Sequence, residues 1–190
     1  FQFSISVALI IAMLVINRQM KYTMDRPMGY DLNRLVQIQK STPKLRGHFW
    51  AMREQLLASG GVEEMAEMNT PLSENWHNQS GIHWRGRPQN SAESFAYVVV
   101  TPEFGKTVNW NVAAGRDFDR QFKTDTSAVI LNQSAAKLIG FENSLGEQIE
   151  FESNRYTVIG ITEDIIFNSP YENAQPTVFF MRLANAPFIT

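Results

Sequence analysis

The chain contains no cysteine among its 190 residues. That excludes disulfides, thiolate metal sites and a cysteine nucleophile, and it leaves the compartment open, because a domain of this size is stable without bridges. Histidine is scarce too: His48, His77 and His83 are the whole set, and their spacing matches no zinc pattern, so no metal is expected. Neither sign of charge dominates. Seventeen basic against nineteen acidic residues leave a formal charge of −2, which gives no basic surplus for a nucleic-acid partner. Low-complexity tracts and internal repeats are also lacking. The last absence is local: the first sixteen residues, FQFSISVALIIAMLVI, carry no charge at all.

Those sixteen residues are apolar on every side, with only Gln2, Ser4 and Ser6 as polar groups. A soluble helix shows one apolar stripe, whereas an all-round apolar helix belongs in a core or a membrane. About 20 residues are needed to cross a bilayer. The stretch therefore reads as a transmembrane helix cut at its start, in a longer membrane protein, with a core helix as the plainer alternative. A signal peptide would need a basic start and a small-residue cleavage site, and Val15-Ile16-Asn17-Arg18 offers neither. Arg18, Lys21 and Arg26 follow the span, but charge bias sets orientation only when both flanks are compared.

Beyond the helix, 44% hydrophobic and 12% aromatic content indicate a folded core. A helical extension over 17–34 reaches a turn at Pro27-Met28-Gly29-Tyr30, and Leu35–Gln39 alternates as a strand. Thr42 and Pro43 suit a helix start, followed by a stripe of Leu45, Phe49, Met52 and Leu56 and a stop at Ser59-Gly60-Gly61. Residues 62–68 read as a strand and 69–91 as a loop or loose hairpin. Phe95–Val100 is a clear strand, and Thr101-Pro102 opens a short helix with Phe104 and Val108. Ala128–Leu131 is a strand, Asn132 caps a helix that stops at Gly140, and Gln148–Phe151 pairs with Tyr156–Ile161 as a hairpin. Thr177–Met181 is the last strand. The fold class is α+β, with residues 1–24 as membrane helix and stalk, 25–190 as the core domain, and 113–154 as an inserted lobe.

No catalytic constellation emerges. Gly105-Lys106-Thr107 lacks the earlier glycine of a phosphate loop, since Val stands at 100. Glu63, Glu64 and Glu67, and Asp117 with Asp119, read as solvated carboxylates. Ser80 and Ser134 lack the nucleophile-elbow context. Asn78-Gln79-Ser80 and Asn132-Gln133-Ser134 match glycosylation sequons, the second better explained as a helix cap. No cofactor is expected. For a contact surface, exposed aromatics on a loop are the natural anchors, and Trp76, Ile82 and Trp84 in the 69–91 loop are the candidates, with folding back onto the core as the alternative.

Several short stretches, in order, resemble one family. They are Gln2–Ser6, Met28-Gly29-Tyr30-Asp31, Val100–Phe104, Gly115-Arg116-Asp117-Phe118, Ala128–Asn132 with Ala135-Ala136, Leu145-Gly146-Glu147, Tyr156–Ile161 with Asp164, and Pro176. This order resembles the periplasmic core domain of MacB/FtsX-type ABC transporter permeases, especially the second such domain in the long permeases of Bacteroidetes-like bacteria. The motifs also have plain structural readings: Gly115 and Gly160 suit tight backbone, and Arg116-Asp117 a local ion pair. The resemblance implies a two-lobed periplasmic domain on a bacterial inner membrane, and no enzyme activity of its own. ATP hydrolysis is then expected on a separate cytoplasmic ABC ATPase subunit, whose motion the membrane helices carry to the periplasm for export or envelope signalling. Implied partners are that ATPase, a second or related permease copy, the lipid bilayer, and a periplasmic adaptor or outer-membrane protein. The competing reading is a single-span membrane-anchored sensor that binds a small ligand. A membrane-anchored envelope enzyme would need a titrating pair in a cleft.

Overall fold

The computed structural model describes residues 2–24, 28–31, 34–42, 45, 47–88, 91–141, 143–167, 172–182 and 185–190. Helix α1 runs over Gln2–Met24. Its apolar portion, Gln2–Tyr22, is 21 residues long, a rise of about 31 Å that matches a hydrocarbon core of roughly 30 Å. Phe3, Ile5, Leu9, Ile10, Met13 and Leu14 are all exposed, so the apolar portion of this helix buries nothing against the rest of the described chain.

Among the described residues the remainder is one eleven-stranded mixed sheet with three short α-helices and a 3-10 turn of helix over Lys123–Ser127. Its centre is β5 (Phe95–Val100), β10 (Thr177–Met181), β7 (Ala128–Asn132) and β9 (Asn154–Thr162), in that order. β5 and β10 are parallel, as are β7 and β9, while β10 and β7 are antiparallel. β7 and β10 are buried at every position, which is why they read as near-continuous apolar runs rather than alternating ones. On one face Val98, Val100, Ala128, Ile130, Phe179 and Met181 pack under α3 (Phe104–Val108). There Phe179 meets Trp110 edge-on at 4.9 Å, a geometry that adds to area burial. On the other face Val99, Val129, Leu131, Val178 and Phe180 pack under α4 (Gln133–Ile139).

β8 (Gln148–Phe151) joins β9 through a tight hairpin whose turn residues Glu152 and Ser153 have φ of 49° and 64°, the double positive φ of a type I′ turn. β6 (Val112–Gly115) continues β8's side of β9, with Gly115 opposite Gly160. On the outer flank β2 (Glu67–Met68), β11 (Phe188–Ile189) and β1 (Ile38–Gln39) extend the sheet from β5. Residues 113–154 thus supply most of β6 and all of β7, α4 and β8. Backbone bonding runs unbroken from β10 through β7 to β9.

Several local expectations change. The strand expected over 35–39 narrows to β1, and that over 62–68 to β2. Helix α2 covers Phe49–Ala58, beginning later than Thr42 because residue 47 has φ of +78°, which no right-handed helix accommodates. Pro27 and Pro43 lie outside the described residues. Phe49 alone of the expected stripe is fully buried, against Met65 and Ile189. The 69–91 segment is not a hairpin. β3 (Asn78–Gln79) pairs with β5, and β4 (His83–Trp84) pairs with β8. One stretch thereby bridges both sides of the central strands and closes the circuit β5–β10–β7–β9–β8 around Ile82, Trp84, Phe95, Phe151 and Phe180.

Candidate functional site: the helix-to-core junction

Four residues beyond α1, the chain attaches to the core at two places. The Met28 carbonyl accepts from Ile166 N at 3.0 Å, and Asp31 N donates to the Val108 carbonyl at the end of α3 at 2.9 Å. Between them Gly29 has φ of +82°, and a Cβ there would fall on the carbonyl oxygen of Asp164, so only glycine seats this turn. Tyr30 packs against the cluster under α3 and its hydroxyl donates to the Leu72 carbonyl at 3.3 Å. Burial pushes that phenol upward from its ordinary pKa, so it stays a neutral donor.

The segment that receives Met28 and Gly29 is itself fastened. Asp164 accepts from Ser134 N at 2.8 Å and from Ser134 Oγ at 2.7 Å. Asn132 caps α4 as expected, accepting from Ala135 N at 2.9 Å. The same oxygen accepts from Thr177 N, and its amide donates to the Gln175 carbonyl, both at 2.8 Å. Asn132 is fully buried, which excludes it as a glycosylation acceptor.

Ile82 is 0% and Trp84 9% exposed, so these two cannot form a contact surface; both face inward from the closing segment. Trp76 is 48% exposed, with its ring edge-on to Phe188 and its indole N–H on Glu74. Gly105 lies in α3 directly beneath the bond from Trp110 Nε1 to Asp117 at 2.9 Å, so this glycine serves packing. Burial raises the Asp117 pKa, with the Trp110 and Phe118 N–H bonds opposing. Arg116 pairs not with Asp117 but in a two-pronged bridge with buried Asp125, at 2.7 and 2.6 Å. Nor are all the glutamates solvated: Glu67 is buried against Lys40, and Glu64 pairs with Arg53. Among the described residues no group of three metal-ligating side chains forms. The concavity lined by Ile165–Phe167 and Glu172–Gln175 holds about 10 Å³, room for roughly one water.

Sequence reasoning singled out Met28–Asp31 and Asp164 as motifs but not as neighbours. Their shared place in one resemblance was the only available signal.

The family model of the MacB-like periplasmic core domain matches residues 3–187. Among solved structures, the periplasmic region of MacB from Actinobacillus actinomycetemcomitans is similar at TM-score 0.55 and 14% identity, over 88% of this chain and 78% of that one. The extracellular domain of the ABC-type transporter YknZ from Gram-positive bacteria aligns at TM-score 0.46 and 13% identity, over 75% and 70%, too loosely to argue from. No curated protein matches the sequence. With nearly the whole chain matched and an α+β core set behind an exposed apolar helix, this chain belongs to the MacB-like periplasmic core domain family of ABC transporter permeases.

Proposed function

We propose that this domain receives force. In this reading α1 spans the inner membrane of a bacterium and continues as a stalk. A separate cytoplasmic ABC ATPase subunit hydrolyses ATP, and the resulting tilt of the membrane helices moves the periplasmic core for export or envelope signalling. A second permease copy and a periplasmic adaptor or outer-membrane protein are the further partners of this scheme, and Trp76 is the remaining aromatic candidate for such a contact. The observation that supports it is the junction. An exposed apolar helix leads within a few residues into Met28–Asp31, which is bonded both to residue 166 and to the end of α3. A lever needs that double attachment, because a single hinge would let the helix swing without load.

Affinity capture of the tagged full-length protein from gently solubilised native membranes tests the proposal. Recovery of a stoichiometric ATPase subunit is the expected result. Its reproducible absence, with the protein intact and membrane-bound, would contradict the reading and favour the single-span sensor.

A further inference from the structure

Asp164 touches the junction and the sheet at once. Its backbone carbonyl lies where Gly29 admits no side chain, and two residues on, Ile166 N holds the Met28 carbonyl. Its carboxylate points the other way, with one oxygen on the amide and the other on the hydroxyl of Ser134, in the first turn of α4. From α4 the contacts continue through Asn132, whose side chain holds Ala135 N, Thr177 N and the Gln175 carbonyl. Gln175 Oε1 in turn accepts from Asn75 beside β3 at 3.0 Å. The other attachment, Asp31 N to the Val108 carbonyl, is to the end of α3.

We propose that Asp164 is a positioning residue, the clamp through which displacement of Met28–Asp31 reaches α4 and the start of β10. The inference rests on the force-receiving reading above and names the residue that carries the force onward. A carboxylate suits the task. Bonds to an ionised acceptor are shorter and stronger than neutral ones, and two oxygens on one residue fix direction as well as distance. Motion at Gly29 pushes on the same residue whose side chain grips α4, so no slack intervenes.

The test is hydrogen exchange of the full-length permease with its ATPase in lipid nanodiscs, nucleotide-free and bound to a non-hydrolysable ATP analogue. In the wild type, exchange at residues 28–31 and 133–139 should both respond to nucleotide, by about tenfold. Asp164→Ala should keep the response at 28–31 and lose it at 133–139. Asp164→Asn, which retains an acceptor for Ser134 N and an amide facing Ser134 Oγ, should restore it. Ser134→Ala removes one of the two bonds without touching the junction and should reduce the α4 response even if Asp164→Ala fails to fold. An α4 response that survives both alanine variants overturns the clamp and leaves force transmission standing. So does a wild type that responds at 28–31 alone. No response at 28–31 in the wild type overturns force transmission and the clamp together.

Discussion

β7 and β10 are buried at every position and β5 at all but Tyr97, whereas β1 to β4 are two residues each. In the centre, Phe179, Val98, Ile130 and Leu131 are held by apolar burial from both directions. On the flank, the Asn69 side chain bridges Val99 N and the Tyr97 carbonyl. Gln37 there reaches Leu72 N and Thr190 Oγ1, and Lys40 meets Glu67 out of water. The centre is specified by composition and the flank by individual polar partners. A centre of the first kind tolerates conservative apolar exchange, while a flank of the second kind fails one bond at a time.

Substitutions should separate the two regions. Phe179→Ala removes the ring shared by Trp110, Phe104 and Phe167 and should cost about 3–5 kcal/mol in denaturant unfolding, whereas Phe179→Leu should cost well under half of that. Glu67→Ala leaves the Lys40 ammonium buried and unpaired and should cost about as much, about 3–5 kcal/mol. The double exchange Lys40→Met with Glu67→Leu should recover most of the loss. Recovery would show that the pair adds little net stability over apolar residues of similar volume. Asn132→Ala orphans Thr177 N and the Gln175 carbonyl besides uncapping α4 and should cost about 2–3 kcal/mol. Asp117 gives a pH signature in the centre. Burial raises its pKa in the folded protein above the ordinary 3.8, so the folded state keeps that proton to higher pH than the unfolded chain. Its contribution to stability therefore declines as pH rises from 3.8 through the folded value. Asp117→Asn should flatten that decline in a series of unfolding curves. The smallest effect belongs to the exposed pair Arg155–Glu150, where Glu150→Gln should change stability by less than about 0.5 kcal/mol.

The same contrast decides what was legible in the sequence. β5, β10, the β8–β9 hairpin and the Asn132 cap were readable because their signals are local: apolar runs, and a polar residue ahead of a helix. β3 and β4 were not, since Asn78 finds Ala96 and His83 finds Glu150 only in three dimensions. Ile82 and Trp84 alternate with the exposed His83 and Arg85, a period-two pattern that marks inward-facing positions. For the junction, Gly29 was visible as part of a motif, but its meeting with Asp164 depends on a tertiary contact that no local pattern encodes.

The most direct test of force transmission is the distance from the bilayer surface to a fluorophore on α4 at Lys137, an exposed site. It would be read by energy transfer to headgroup dyes in the reconstituted permease–ATPase complex. The account predicts a distance that changes with nucleotide in the wild type. In Gly29→Val, where the new side chain cannot share space with the Asp164 carbonyl, the distance should become nucleotide-independent while ATP hydrolysis persists. A wild-type distance that stays constant during active hydrolysis would contradict it.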